Sequence, residues 1–394
     1  MVRTRVALSG LIVIVGISKA AGQPVSAPAL NYSQWTNGPS PDPAFFPIAV
    51  WLQSPANAPR YRAAGFNTYV ALWRGPTEAQ LAELKKADMR LICEQNQIAL
   101  NHLRDPLIIG WMHGDEPDNA QTVEKGNGYG PPIAPEKIVQ NYQRLRTSDP
   151  SRPVMLNLGQ GVAWDGWYGR GNRTRHPEDY PKYLAGCDIV SFDIYPAVHD
   201  SPEIAGKLWY VAQGVERLIR WSGGKKVVWN CLECTRISNP DRKPTPREVR
   251  CEAWMSLIHG SRGLIYFVHQ FKPDFREAAL FDDAEMLAGI TSLNRQITKL
   301  APVLNSPSVT GAVTVQSLSP SLPVAMTVRK YEGETWIFTV AMRGEATTAE
   351  FRIKANAKIE SIEVLDENRK ISAQEGVFKD RFEPWDVHLY RVKL

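Results

Sequence analysis

Two apolar runs in this chain end in a carboxylate. The run that begins at Ile108 ends at Asp115-Glu116 and is closed by Pro117, and the run that begins at Lys226 ends at Glu233. Cleavage of a glycosidic bond uses one carboxyl group as general acid and a second as nucleophile or base. We therefore predict Glu116 and Glu233 as a catalytic pair.

Each of these two glutamates also has a structural interpretation. Pro117 lacks an N–H group and disfavours helical geometry at the preceding residue, which favours a Glu116 side chain in a pocket mouth. A helix-start or loop carboxylate is the alternative for Glu116. Glu233 is also compatible with an ion pair to Arg236 or Arg262. The sequence leaves both alternatives open.

Strand-like and helix-like patterns alternate eight times along most of the chain. Apolar strand-like runs cover 46–53, 67–73, 90–95, 108–115, 153–159, 187–195, 226–233 and 263–270. Helical patterns lie near 56–64, 77–87, 97–104, 135–147, 178–185, 203–221, 246–259 and 283–300. This alternation predicts an α/β fold, a (β/α)8 TIM barrel. A doubly wound open sheet would call for a G-x-G-x-x-G loop after an early strand, which the sequence lacks.

The carboxyl ends of the predicted strands supply the other candidate site residues, because barrel enzymes place their active sites there. Amides, carboxylates and aromatic rings dominate these positions, and such groups suit polyhydroxylated ligands. The predicted substrate-binding residues are Trp51, Arg74, Glu94, Asp115, Asn157, Asp193, Tyr195 and His269. Arg74 is alternatively a solvated charge in a loop. Glu94 is alternatively the ion-pair partner of Arg74 or Arg90. We predict no cofactor and no metal, since tight ligand spacing is missing.

A Gly-rich loop at 159–172 carries three further aromatic residues, Trp164, Trp167 and Tyr168. Aromatic faces stack on sugar rings, but rings in such a loop also pack against the fold. The sequence does not decide between a sugar-binding platform and loop packing.

These features resemble the large clan of (β/α)8 glycoside hydrolases in which the acid/base glutamate ends the fourth strand and the nucleophile ends the seventh. Glu116 and Glu233 match those positions, and the resemblance covers about residues 45–300. The resemblance implies a retaining mechanism in which Glu233 attacks the anomeric carbon and Glu116 protonates the leaving oxygen. The chain departs from the clan pattern at Asp115, where Asn is usual, and at His269-Gln270, where many members have Trp.

The character of the sequence changes near Asn305. Short alternating runs separated by turn signals follow, at 313–315, 324–328, 336–340, 350–353, 362–365 and 387–392. This pattern predicts a β-sandwich. The predicted domains are a signal peptide at 1–22, a linker at 23–44, the catalytic barrel at 45–304 and the sandwich at 305–394.

Residues 1–22 read as a secretory signal, with Arg3 and Arg5 before the apolar run from Leu8 to Ile17 and small residues after it. An uncleaved anchor is the alternative. Removal of this segment takes away three basic residues and lowers the net charge from +5 to +2, which does not favour a nucleic-acid partner. We expect a secreted or periplasmic protein that is not membrane-bound once the signal is removed, with no prediction of oligomeric state.

Five cysteines include a single CxxC pair, Cys231 and Cys234, which is weak evidence for a metal because structural zinc needs four ligands. Burial as small apolar side chains is the favoured interpretation, and a Cys234–Cys251 disulfide is the alternative.

The function predicted from the sequence is a secreted retaining glycoside hydrolase that cleaves β-glycosidic bonds in a polysaccharide or oligosaccharide. The first alternative is an exported carbohydrate-binding protein with a degenerate barrel site, suggested by the departures at Asp115 and His269. A lyase or metal-dependent hydrolase using Glu94, Asp193 and His269 is a third hypothesis.

Overall fold

The computed structural model describes residues 32–123, 128–354, 359 and 361–393. Its first part is a parallel barrel whose wall is formed by β1 Ile48–Trp51, β2 Thr68–Val70, β3 Arg90–Cys93, β4 Ile108–Met112, β5 Val154–Leu158, β6 Ile189–Phe192, β7 Val227–Val228, β8 Asn230–Glu233 and β9 Leu264–Phe267. The strand order is β7-β6-β5-β4-β3-β2-β1-β9-β8. Because only Trp229 separates β7 from β8, these two segments form one barrel strand, and the wall closes at eight positions.

Eight helices alternate with these strands: α1 Ala58–Ala63, α2 Glu78–Lys86, α3 Gln97–Asn101, α4 Pro135–Ser148, α5 Tyr180–Tyr183, α6 Trp209–Trp221, α7 Pro246–Ile258 and α8 Ala284–Asn305. Thr77 and Thr245 begin α2 and α7 with capping boxes, in which the threonine hydroxyl and a side chain three residues later satisfy free N–H groups. The predicted TIM barrel is confirmed, with every predicted strand and helix in its expected place.

The interior of the barrel is filled by alternate residues of the strands. They include Ala49, Trp51, Val70, Ile92, Ile109, Met112, Met155, Ile189, Val227, Trp229, Cys231 and Ile265. The intervening strand residues pack against the helices in a second, larger apolar cluster. Burial on both sides of each strand explains why the strands read as continuous apolar runs.

Residues just before β1 close the amino-terminal end of the barrel. Tyr32 and Trp35 are buried in the same cluster as the barrel interior. The Tyr32 hydroxyl donates to the carbonyl of Arg262 at 2.7 Å and accepts from Trp229 Nε1 at 2.9 Å. Two residues of the predicted linker at 23–44 thus contribute to the barrel interior, whereas residues 41–44 are exposed. Residues 23–31, like the predicted signal at 1–22, lie outside the described residues.

The carboxyl-terminal part contains two antiparallel sheets. One contains β10 Val313–Ser317, β13 Thr347–Ile353 and β16 Val377–Phe382; the other contains β11 Val324–Tyr331, β12 Glu334–Ala341, β17 Val387–Val392, β14 Ser361–Val364 and β15 Arg369–Ser372. A shared apolar core joins the sheets. The six predicted runs are all strands, but β15 and β16 were not predicted.

All five cysteines are buried and free, so the Cys234–Cys251 disulfide is not formed. In the described part of the chain, no helix combines the length and apolarity needed to cross a membrane.

Replacement of Tyr32 tests whether this segment holds the barrel together. Tyr32→Ala empties a buried site and leaves the Trp229 N–H unpaired, so we expect the free energy of unfolding to fall by about 3–5 kcal/mol. Urea unfolding followed by tryptophan fluorescence measures the change. Tyr129→Ala, at an exposed tyrosine, is the control. Equal midpoints for Tyr32→Ala and the unaltered protein would contradict a structural role for this segment.

Candidate active site

Glu116 follows β4 in an unusual backbone conformation. Its φ of 41° is in the left-handed region, which costs a non-glycine residue on the order of 1–3 kcal/mol. The conformation is held by the Asn119 N–H, which donates to the Glu116 carbonyl at 3.0 Å. Asn119 Nδ2 also donates to Glu116 Oε2 at 2.8 Å. The chain thus turns sharply after β4 and fixes the half-buried Glu116 carboxyl group.

Asn157, at the carboxyl end of β5, joins carboxylates from the strands on either side. Its Nδ2 donates to Asp115 Oδ1 and to Asp193 Oδ1, each at 2.9 Å. Its Oδ1 accepts from the Ser191 hydroxyl at 2.7 Å, which fixes the orientation of the amide. The Tyr195 hydroxyl donates to the other oxygen of Asp193 at 3.2 Å. Four predicted substrate-binding residues therefore meet in one hydrogen-bonded group.

Burial, and then the charges of neighbouring carboxylates, raise the pKa of Asp115, Glu116 and Asp193. Burial, then the charges of Asp193 and Asp115, raise the pKa of Glu116 well above its ordinary value. Burial, then the charge of Asp115, raise the pKa of Asp193 to about 8. Burial, with the charge of Asp118, raises the pKa of Asp115 to about 6. Of the two aspartates, Asp115 has the lower pKa and is the more exposed residue, so it ionises before Asp193. We call Asp115, Glu116 and Asp193 the carboxylate cluster.

Three residues that sequence reasoning did not connect with Glu116 support it. A Cβ atom on Gly159 would lie 2.8 Å from the Asn119 amide and 2.9 Å from Glu116 Oε1, so only glycine fits beside the acid. Trp167 Nε1 donates to Asn119 Oδ1 at 2.8 Å. The Gly-rich composition of the loop at 159–172 was the available signal for Gly159, but no local sequence pattern marks Asn119 as a partner of Glu116.

Glu233 is not part of the carboxylate cluster. It is fully buried, and its two oxygens accept from the backbone N–H groups of Ala197 and Val198, the latter at 2.9 Å. Burial raises its pKa to about 7, although these N–H groups favour the anion. Its carboxyl neighbour is Glu252 on α7, whose pKa is raised by burial and then by the charge of Glu233. The nucleophile role of Glu233 stays a prediction that these contacts do not support.

The remaining predicted residues surround the mouth, by which we mean the carboxyl ends of the barrel strands. Trp51 is buried in the barrel interior, whereas Arg74 and Glu94 are exposed. The Arg74 guanidinium lies 5.6 Å from the Trp73 ring centroid and forms no ion pair with Glu94 in the described part of the chain. His269 is buried, 3.1 Å from Gln53 Nε2 through its Nε2. The structure therefore does not bring these four residues into the carboxylate cluster.

The Asn119–Glu116 hydrogen bond is expected to set the pH range of any activity that uses Glu116 as an acid. Asn119→Ala removes a donor that favours the ionised carboxylate, so the pKa of Glu116 rises further. The alkaline limb of a kcat/KM–pH profile should therefore move to higher pH, while kcat falls through lost positioning. An alkaline limb at the same pH or at a lower pH would contradict this assignment. Asn101→Ala, on α3, is the matched control.

The Glu233–Glu252 pair gives a separate prediction about stability. Both groups keep their protons in the folded protein above the ordinary glutamate pKa of 4.5, whereas the unfolded chain loses them there. The native state therefore binds more protons, and its stability falls as pH rises from about 4.5 through 7. Glu252→Gln should flatten this fall and raise the thermal midpoint at pH 8 relative to the unaltered protein. Midpoints of both proteins measured from pH 4 to 9 test it, and parallel curves would refute it.

Comparison with solved structures supports the fold. An α-amylase from Geobacillus thermoleovorans, complexed with acarbose, matches with a TM-score of 0.53 and 10% identity over 92% of this chain and 99% of that one. An α-galactosidase homologue from Bacteroides fragilis matches with a TM-score of 0.52 and 9% identity over 89% and 80% of the two chains. A cyclomaltodextrinase matches with a TM-score of 0.54 and 8% identity over 90% and 79%.

No protein-family model matches this chain. No curated protein matches it either. At identities of 8–10%, the structural matches establish a barrel architecture shared with glycoside hydrolases. The activity has to be inferred from the residues of the site.

Proposed function

We propose that this protein is a retaining glycoside hydrolase whose chemistry is carried out by the carboxylate cluster. The observation that carries the proposal is the meeting of Asp115, Glu116 and Asp193 at the mouth of a barrel, without an ion-pair partner in the described residues. Such crowding keeps one carboxyl group protonated while another ionises, which is the requirement for acid and nucleophile in one site.

The bridging amide fixes the spacing of the two aspartates. Asp115 Oδ1 and Asp193 Oδ1 both lie 2.9 Å from the same nitrogen, so these oxygens are separated by no more than twice that distance. Retaining enzymes hold their two carboxyl groups about 5–5.5 Å apart, and inverting enzymes about 6.5–9.5 Å. That criterion concerns the acid and the nucleophile, here Glu116 and one of the aspartates, so retention is proposed from the sequence resemblance.

In this proposal Glu116 is the acid and the Asp115–Asp193 pair supplies the nucleophile. Glu116, protonated, donates to the leaving oxygen while an ionised aspartate attacks the anomeric carbon. The resulting Glu116 carboxylate then removes a proton from water, which attacks the same carbon and releases the sugar. Asn157 and Tyr195 orient the aspartates through the hydrogen bonds described above.

The anomeric configuration of the substrate and the export of the protein are proposed from the sequence alone. The preference for β-glycosides comes from the sequence resemblance alone, whereas the similar structures are named as an α-amylase and an α-galactosidase. Export rests on the composition of residues 1–22. An assay panel must therefore include aryl glycosides of both anomeric configurations.

One observation favours the alternative of a carbohydrate-binding protein without hydrolysis. Glu233, predicted as the nucleophile, accepts from backbone N–H groups and forms no hydrogen bond with the carboxylate cluster in the described residues. Saturable glycan binding with no product after prolonged incubation would establish this alternative in place of the hydrolase.

Substitution of the cluster tests the assignment. Glu116→Gln removes the acid and should lower kcat by about 10²–10⁴-fold on substrates with poor leaving groups. Azide should restore turnover, with a glycosyl azide as product, to either Asp115→Ala or Asp193→Ala, because the small anion replaces the lost nucleophile. Glu83→Gln, at an exposed carboxylate on α2, is the control.

Two results would overturn the assignment. Near-normal turnover of Glu116→Gln would remove the acid from the mechanism. Rescue by azide of Glu233→Ala, with no rescue of either aspartate variant, would return the nucleophile role to Glu233 and exclude the Asp115–Asp193 pair.

A further inference from the structure

The exposed aromatic side chains of the described residues are concentrated at one end of the barrel. They follow β2, β4, β5 and β9 and are 46–75% exposed: Trp73, Tyr129, Tyr168, Phe271 and Phe275. Rings of this size are normally buried, and grouping at one end of a fold marks a surface that binds something. Since the carboxylate cluster lies at the same end, the rings and the cluster belong to one surface.

Two groups of these rings reach the cluster from different sides. Phe271 and Phe275, which we call the phenylalanine platform, lie 5.8 Å apart between ring centroids. From Phe271, ring contacts run through His269, Phe267 and Tyr195, whose hydroxyl donates to Asp193. This platform follows β9, next to β1.

The second group adjoins the acid. Tyr168 packs on Trp167 with ring centroids 4.7 Å apart, and we call these two rings the tyrosine platform. Trp167 donates a hydrogen bond to Asn119, which in turn donates one to Glu116. This platform follows β5, which lies three strand positions from β9 when β7 and β8 are counted as one strand. The carboxylate cluster thus has an aromatic surface on each of two sides.

We propose that the two platforms bind an extended glycan chain, with sugar units on both sides of the bond that is cleaved. This inference rests on the proposed hydrolase function and deepens it, because it assigns the side chains that bind the sugar units on each side of the cleaved bond. The two platforms follow β5 and β9, which lie three strand positions apart in a wall whose neighbouring strands are about 4.8 Å apart, so one sugar ring does not span both. The apolar faces of successive sugars, in contrast, stack on both platforms. The mode of attack that follows is cleavage within a chain.

Substrate length separates this role from a structural one. The variants are Phe271→Ala/Phe275→Ala and Tyr168→Ala, and Leu318→Ala, an exposed residue outside the barrel, is the control. Each platform variant should lower kcat/KM on hexasaccharides by roughly fivefold to tenfold and leave kcat/KM on aryl monoglycosides nearly unchanged. Equal losses on both substrates, or none on the hexasaccharides, would overturn the inference.

A binding experiment keeps the inference testable if hydrolysis is absent. Electrophoresis of the Glu116→Gln protein in gels containing starch, xylan, galactomannan or mixed-linkage β-glucan measures retention without turnover. Retention by at least one glycan that is lost on adding the platform substitutions supports the extended site even where the hydrolase proposal fails. No retention by any of the four, or an oligomer that dissociates when the platforms are substituted, would show that the rings serve another purpose.

Discussion

The bridging of two aspartates by one amide organises the whole candidate site. Asn157 uses both Nδ2 hydrogens for Asp115 and Asp193, while Ser191 occupies its carbonyl oxygen, so a flipped amide would place that oxygen against two carboxylates. The amide therefore has one acceptable orientation. Because Asn157 lies near the carboxyl end of β5 and the aspartates follow β4 and β6, hydrogen bonds between neighbouring barrel strands fix the spacing of the carboxyl groups.

Such an arrangement has a cost in stability. Three carboxyl groups held together without a Lys or Arg partner in the described residues bind protons at a pH where isolated acids would not. The opposite end of the barrel stabilises the fold, since the rings of Tyr32 and Trp35 are buried there. The Tyr32 hydroxyl also forms two hydrogen bonds at that end. Function and stability are thus divided between the two ends of the barrel, as the fold permits.

The sequence predicted the barrel because a strand covered on both sides must be apolar throughout, and it predicted Asp115, Asn157 and Asp193 because strand ends are visible in that pattern. It missed β15, with the polar sequence Arg369–Ser372, because an edge strand with little burial lacks the apolar signal. It also assumed that Glu233 faces the pocket. Trp229 and Cys231 lie in the barrel interior, but the Glu233 carboxylate accepts from the backbone N–H groups of Ala197 and Val198. Contacts between distant segments are not encoded in a local pattern.

The backbone at the mouth of the barrel has several unfavourable conformations. Several non-glycine residues that follow barrel strands have positive φ: Leu52, Ala71, Arg74, Glu116 and Ile237. Each such residue bends the chain abruptly away from the barrel wall at an energetic cost that only a rigid surrounding structure sustains. The parallel wall and the packed interior supply that rigidity, which lets the mouth present Glu116 and the exposed rings in conformations that an isolated loop would not keep. The regular barrel therefore sustains backbone conformations at the mouth that are unfavourable by themselves.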